Sequence, residues 1–78
     1  SEASQVEAYL TELLEDEEFY YEKIRFNYMQ GILHIYQGHV EKGKLECMKM
    51  IDIFKGLKER KKAFQYQEYL DYVLSEIE

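Results

Sequence analysis

The chain has no proline and no tryptophan, one cysteine, four glycines, and no lysine or arginine among its first 22 residues. Each shortage excludes something. Without proline nothing breaks a helix from within and there is no proline-rich linker, so helices joined by short connections are favoured. A single cysteine, Cys47, rules out an internal disulfide and points to a reducing, cytoplasmic setting. No apolar run approaches the ~20 residues that span a bilayer, and the opening residues lack the form of a signal peptide, so no membrane association is expected. The 78 residues suffice for one small domain, and a chain this short buries only ~60% of the surface that it exposes when unfolded.

What is present fits a folded chain. Apolar residues make up 46% and charged residues 33%, a balance that separates the sequence from disordered ones. Tyrosine is abundant at eight, beside four phenylalanines. A tyrosine can bury its ring and leave its hydroxyl to water or a ligand, which suits a binding surface or the edge of an amphipathic core. The net charge of −6 is unevenly spread. Glu2, Glu7, Glu12, Glu15, Asp16, Glu17, Glu18 and Glu22 crowd the first 22 residues, and such an acidic third argues against nucleic-acid binding by this chain. Lys55, Lys58, Arg60, Lys61 and Lys62 form the opposite cluster. They suit either an anionic partner or a solvated helix end favoured by the dipole of the preceding helix.

Periodicity predicts about four helices. The first covers roughly 3–15, with Val6, Leu10, Leu13 and Leu14 on one face and Ser4 with Glu7 in the form of a capping box. The second runs from about Glu17 to Gln37. It is apolar at Tyr28, Met29, Ile32, Leu33, Ile35 and Tyr36, the pattern of a helix buried between neighbours, and Gly38 stands where a helix end needs positive φ. The third spans about Val40 to Leu57, with an inner face of Cys47, Met50, Ile51, Phe54 and Leu57. The fourth covers about 59–77 through Ala63, Tyr66, Leu70, Val73, Leu74 and Ile77, after a very short connection around Gly56 to Glu59. Long helices joined this tightly are antiparallel neighbours.

A shift of 34 residues lays Val6 on Val40, Leu13 on Cys47 and Leu14 on Met48, and 34 is the tetratricopeptide period. Gly31 and Gly43 then take the small positions where paired helices approach closely. The expected architecture is all-α: antiparallel hairpins stacked as a short tetratricopeptide-like right-handed solenoid. Residues 1–15 form the second helix of an incomplete unit, 17–57 one whole hairpin and 59–78 a terminal cap, as in the C-terminal part of a longer solenoid.

The run Tyr28-Met-Gln-Gly31-Ile-Leu-His-Ile-Tyr-Gln-Gly38-His-Val-Glu-Lys-Gly43, with Met50-Ile-Asp-Ile-Phe54 and the tyrosine-rich tail at Tyr66, Tyr69 and Leu70, resembles a known family. It is similar to the C-terminal helical-repeat region of Rgg/GadR/MutR-type transcriptional regulators, relatives of the peptide-sensing PlcR group, over about residues 20–75. The resemblance implies a regulator whose N-terminal helix-turn-helix, absent from this chain, binds DNA. Its repeat region dimerises and, in many members, takes a short linear signalling peptide in a concave groove, as in quorum sensing.

Nothing in the sequence suggests catalysis, a metal or a cofactor. His34 and His39 are five apart with Gly38 between them, poorly placed to share a metal. Cys47 lies on an apolar face, and Glu15-Asp16-Glu17-Glu18 lacks the glycine and the alternation of a calcium loop. No phosphate loop or nucleophile motif occurs. A groove is the better candidate, because the first helix of each stacked hairpin lines the concave face. The inward positions are Arg25, Tyr28, Met29, Ile32 and Tyr36, with Asn27 if the helix is slightly rotated. Arg25 would meet a carboxylate, Tyr28 would stack, and Met29 and Ile32 would adapt to apolar side chains; alternatively these residues pack on a neighbouring helix. A homodimer is also expected, with Tyr66, Tyr69, Leu70 and Val73 as its interface. Two further readings remain open: a general tetratricopeptide-like scaffold for a protein partner, and a pure oligomerisation segment.

Overall fold

The computed structural model describes the backbone of residues 2–77 and the side chains of residues 18–77. Three helices follow one another: α1 (Glu2–Tyr36), α2 (Val40–Gly56) and α3 (Arg60–Ile77). No strand occurs among the described residues.

The helix expected to end near residue 15 instead continues into the next, so the described chain has three helices where periodicity suggests about four. The acidic run Glu15–Glu18 interrupts the apolar rhythm but not the backbone. Glutamate is a good helix former, and no proline or glycine stands between Ser1 and Gln30 to stop the helix. The capping box at Ser4 and Glu7 and the stripe of Val6, Leu10, Leu13 and Leu14 lie outside the described side chains.

Both connections are three residues long and close in the same way. After α1, the His39 N–H donates to the His34 carbonyl at 2.9 Å and the Gly38 N–H to the Ile35 carbonyl at 3.1 Å. This Schellman closure satisfies two otherwise orphaned carbonyls and requires left-handed backbone at Gly38, whose φ is +96°. After α2 the same pair of bonds runs from Glu59 to Phe54 at 2.9 Å and from Lys58 to Lys55 at 3.0 Å. Here Lys58 holds the left-handed position, at φ +63°, and its Cβ makes that conformation costly.

α1 and α2 lie antiparallel, with Tyr21 beside Phe54 at one end and Ile35 beside Gly43 at the other. They approach closely at the two glycines expected to sit there. A Cβ on Gly31 would stand 2.7 Å from Cys47 Sγ and 2.9 Å from the Gly43 carbonyl oxygen. A Cβ on Gly43 would run into the Gly31 carbonyl oxygen and stand 2.6 Å from Ile35 Cγ1. Only glycine lets the backbones approach this far.

The core forms where three helical faces meet: Ile24, Tyr28, Ile32 and Ile35 from α1, Cys47, Ile51 and Phe54 from α2, and Ala63, Leu70 and Val73 from α3. Met50 and Tyr66 pack at its margin, while Leu57 and Ile77 are exposed. α1 is not enclosed on several sides as its apolar content suggests. Met29, Leu33 and Tyr36 are each more than half exposed, so among the described residues of α1 one face is covered and another is open. Among the described residues no helix is long and apolar enough to cross a membrane.

A candidate ligand groove between the first and third helices

α1 and α3 run in the same direction, with Tyr21 beside Lys62 and Tyr28 beside Tyr66. Parallel helices separated by an antiparallel third leave a shallow furrow along their outer edge. Its floor is aromatic. The Tyr28 and Tyr66 rings are 4.3 Å apart, Tyr66 meets Phe54 edge-on at 4.9 Å, and Tyr21 stacks on Phe54 at 6.2 Å.

One end of the furrow is a hollow of about 460 Å³ lined by Tyr21, Glu22, Arg25, Phe54, Lys62 and Tyr66. The Lys62 ammonium lies 4.3 Å from the centre of the Tyr21 ring, within cation–π range. The Tyr21 hydroxyl donates to Glu59 at 3.2 Å, which engages that carboxylate. Further along, Arg25, Tyr28, Met29, Gln65, Tyr66 and Tyr69 line a second hollow of about 380 Å³. Tyr36 and Tyr72 extend the exposed aromatic surface beyond it. Lys62 and Glu22 thus stand at one end, Arg25 lines both hollows, and exposed apolar surface lies beyond it.

The structure divides the residues named from the sequence. Arg25, Met29 and Tyr36 are exposed as a groove requires. Tyr28 and Ile32 belong to the core, at 5% and 8% exposed, and Tyr28 reaches the second hollow only with its edge. A helix turns ~100° per residue, so a set running from 25 to 36 wraps past the groove into the core. Tyr28 acts as a strut instead: its hydroxyl donates to the Tyr66 carbonyl at 2.7 Å, tying α1 to α3. Burial, the largest influence on that hydroxyl, pushes its pKa well above the usual tyrosine value of 10.0. Asn27 lies on the other flank of α1 and lines a polar hollow with Gln30, Glu46, Lys49 and Met50. Of the four residues expected at a dimer interface, Leu70 and Val73 are fully buried within the chain, because the inner face of α3 packs on α1 and α2. Tyr66 is half-buried, and Tyr69 alone is exposed. Sequence reasoning did not place Tyr21, Lys62 or Gln65 in the groove, although Lys62 was named in the basic cluster; the signal was the spacing 62, 65, 66, 69 on α3, which marks one helix flank.

Residues that carry chemistry elsewhere are engaged in structure. His34 Nδ1 lies 2.8 Å from Glu46 Oε2, joining α1 to α2. His39 is exposed at the turn, its ring 6.4 Å from that of His34. Cys47 is completely buried, its thiol 3.5 Å from the Tyr28 carbonyl. Burial pushes that thiol up to about 11, so the reactive thiolate is scarce at neutral pH. No group of three or more metal-ligating side chains occurs among the described residues. The acidic run at Glu15–Glu18 falls largely outside the described side chains.

No curated protein and no solved structure matches the chain. The model of one protein family does, over residues 1–68, and it describes the C-terminal domain of the helix-turn-helix-type transcriptional regulator Rgg. The matched span includes all of α1 and α2 and the first half of α3, Arg60 to Glu68, and the chain belongs to this family of regulator C-terminal domains.

Proposed function

We propose that the chain is the regulatory part of a peptide-responsive, cytoplasmic transcription regulator. A short linear peptide lies in the α1/α3 groove of a tetratricopeptide-like solenoid, the chain pairs with a second copy, and DNA contact falls to a helix-turn-helix elsewhere in the regulator. The observation that carries this reading is the groove itself, with Lys62 and Glu22 at one end, Arg25 lining both hollows, and Met29, Tyr69 and Tyr36 exposed beyond it. Such a furrow suits an extended apolar chain whose carboxylate meets the arginine fork. Membership in a family of transcriptional regulators supplies the regulatory role.

Fluorescence anisotropy with labelled short apolar peptides bearing a free carboxylate, titrated with the full-length protein, tests the reading. Arg25→Ala and Tyr69→Ala touch exposed side chains and leave the core intact, unlike any substitution of Tyr28. Each should weaken binding about tenfold or more, the equivalent of ~1.4 kcal/mol. Unchanged affinity in both variants refutes the groove.

A further inference from the structure

Five cations fall within the eight residues around the α2–α3 turn: Lys55, Lys58, Arg60, Lys61 and Lys62. A solvated helix end favoured by the dipole accounts for Lys55 alone, which sits in the last turn of α2. Arg60, Lys61 and Lys62 open α3, whose first turn contains no acid, and the positive end of a helix dipole disfavours cations there. Lys58 occupies left-handed backbone. All five residues are exposed, and none enters an ion pair among the described residues.

Apolar surface lies among these charges. Leu57 and Phe64 are 44% and 64% exposed. Lys55, Arg60, Ala63, Phe64 and Gln67 enclose a hollow of about 310 Å³ to which α1 contributes no residue. Lys55 and Arg60 give this hollow a basic rim beside the exposed Phe64 ring, which fits an acidic segment that also carries apolar side chains, whereas Lys62 lies on the groove flank of α3. Nucleic acid is disfavoured by the net charge of −6 and the acid-rich first 22 residues.

We infer that this rim docks the acidic N-terminal segment, residues 2–18, of a second copy of the chain. The sequence contains the required complement: seven acids and no base, with Val6, Leu10, Leu13 and Leu14 at helical spacing. The chain's own α1 does not serve, because Tyr21 meets Glu59 and Lys62 on the opposite flank of α3 from the Phe64 hollow. Two-fold symmetry makes the contact reciprocal, so each pair of copies contains it twice. The inference rests on the pairing of copies proposed above and is independent of peptide binding.

Charge exchange tests it by sedimentation equilibrium of the full-length protein at micromolar concentration. Lys55→Glu with Arg60→Glu, and separately Glu12→Lys with Glu15→Lys, should each weaken self-association at least about tenfold, and an equimolar mixture of the two should restore it. Lys55→Gln with Arg60→Gln should weaken it in the same direction, and it replaces the reversed pair if circular dichroism shows lost helicity. Dimers insensitive to all these changes, or a mixture that does not recover, overturn the docking while leaving the pairing intact. A monomeric parent overturns both.

Discussion

Replacing Gly43 by alanine probes the close approach of the α1 and α2 backbones. Three of the nearest neighbours of the new methyl group are the Gly31 carbonyl oxygen, Ile35 Cγ1 at 2.6 Å and Ile35 N at 2.9 Å. Two of these are backbone atoms, so no rotamer change provides room. Ordinary contact requires α1 and α2 to part by roughly 1 Å, which loosens the fully buried Ile35, Cys47 and Ile51 alongside. Overpacking of this kind costs about 3 kcal/mol at the upper end of its range, offset by about 1 kcal/mol because alanine is the better helix former. The net expectation is a loss of about 2 kcal/mol. Gly56, at the end of α2, supplies the comparison, since a Cβ there meets nothing within 4 Å. Gly56→Ala should therefore gain up to about 1 kcal/mol from propensity alone. Urea unfolding followed at 222 nm should separate the two variants by about 3 M in midpoint if the slope is about 1 kcal/mol per molar. A Gly43→Ala protein that unfolds at or above the parent midpoint refutes the close approach and the register of the hairpin with it.

Two further outcomes follow from the turn and the core. Lys58→Gly should raise stability by about 1 kcal/mol in the same urea assay, because it removes the Cβ from a left-handed residue; an unchanged or lower midpoint contradicts the second Schellman closure. Cys47 has a pKa raised from 9.0 to about 11 by burial, so its contribution is fully present below pH 9 and declines as pH rises towards 11. Thermal melts across that window should therefore fall more steeply for the parent than for Cys47→Ala, and parallel curves refute the assignment.

Helix content, the two tight turns and the glycine contacts were legible in the sequence because they depend on local properties. The absence of proline leaves helices unbroken, Gly38 adopts a φ that side chains disfavour, and Gly31 and Gly43 fall where paired helices touch. The charge asymmetry was equally plain, since it is a matter of composition. Tertiary structure decided what remained. Periodicity broke the first helix at its acidic run, although a change of side-chain character does not end a helix where glutamate, a good helix former, continues it. It placed Tyr28, Ile32, Leu70 and Val73 on working surfaces, although rotation along the helix carries all four into the core. Apolar residues mark a face without naming its neighbour, and only the packing of α3 against α1 showed which flank is covered. That same packing brought Lys62 to Tyr21, 41 positions apart in sequence, and so made the charged end of the groove. Local propensity acts over a turn or two of helix, whereas a site shared by two helices exists only once the chain has closed.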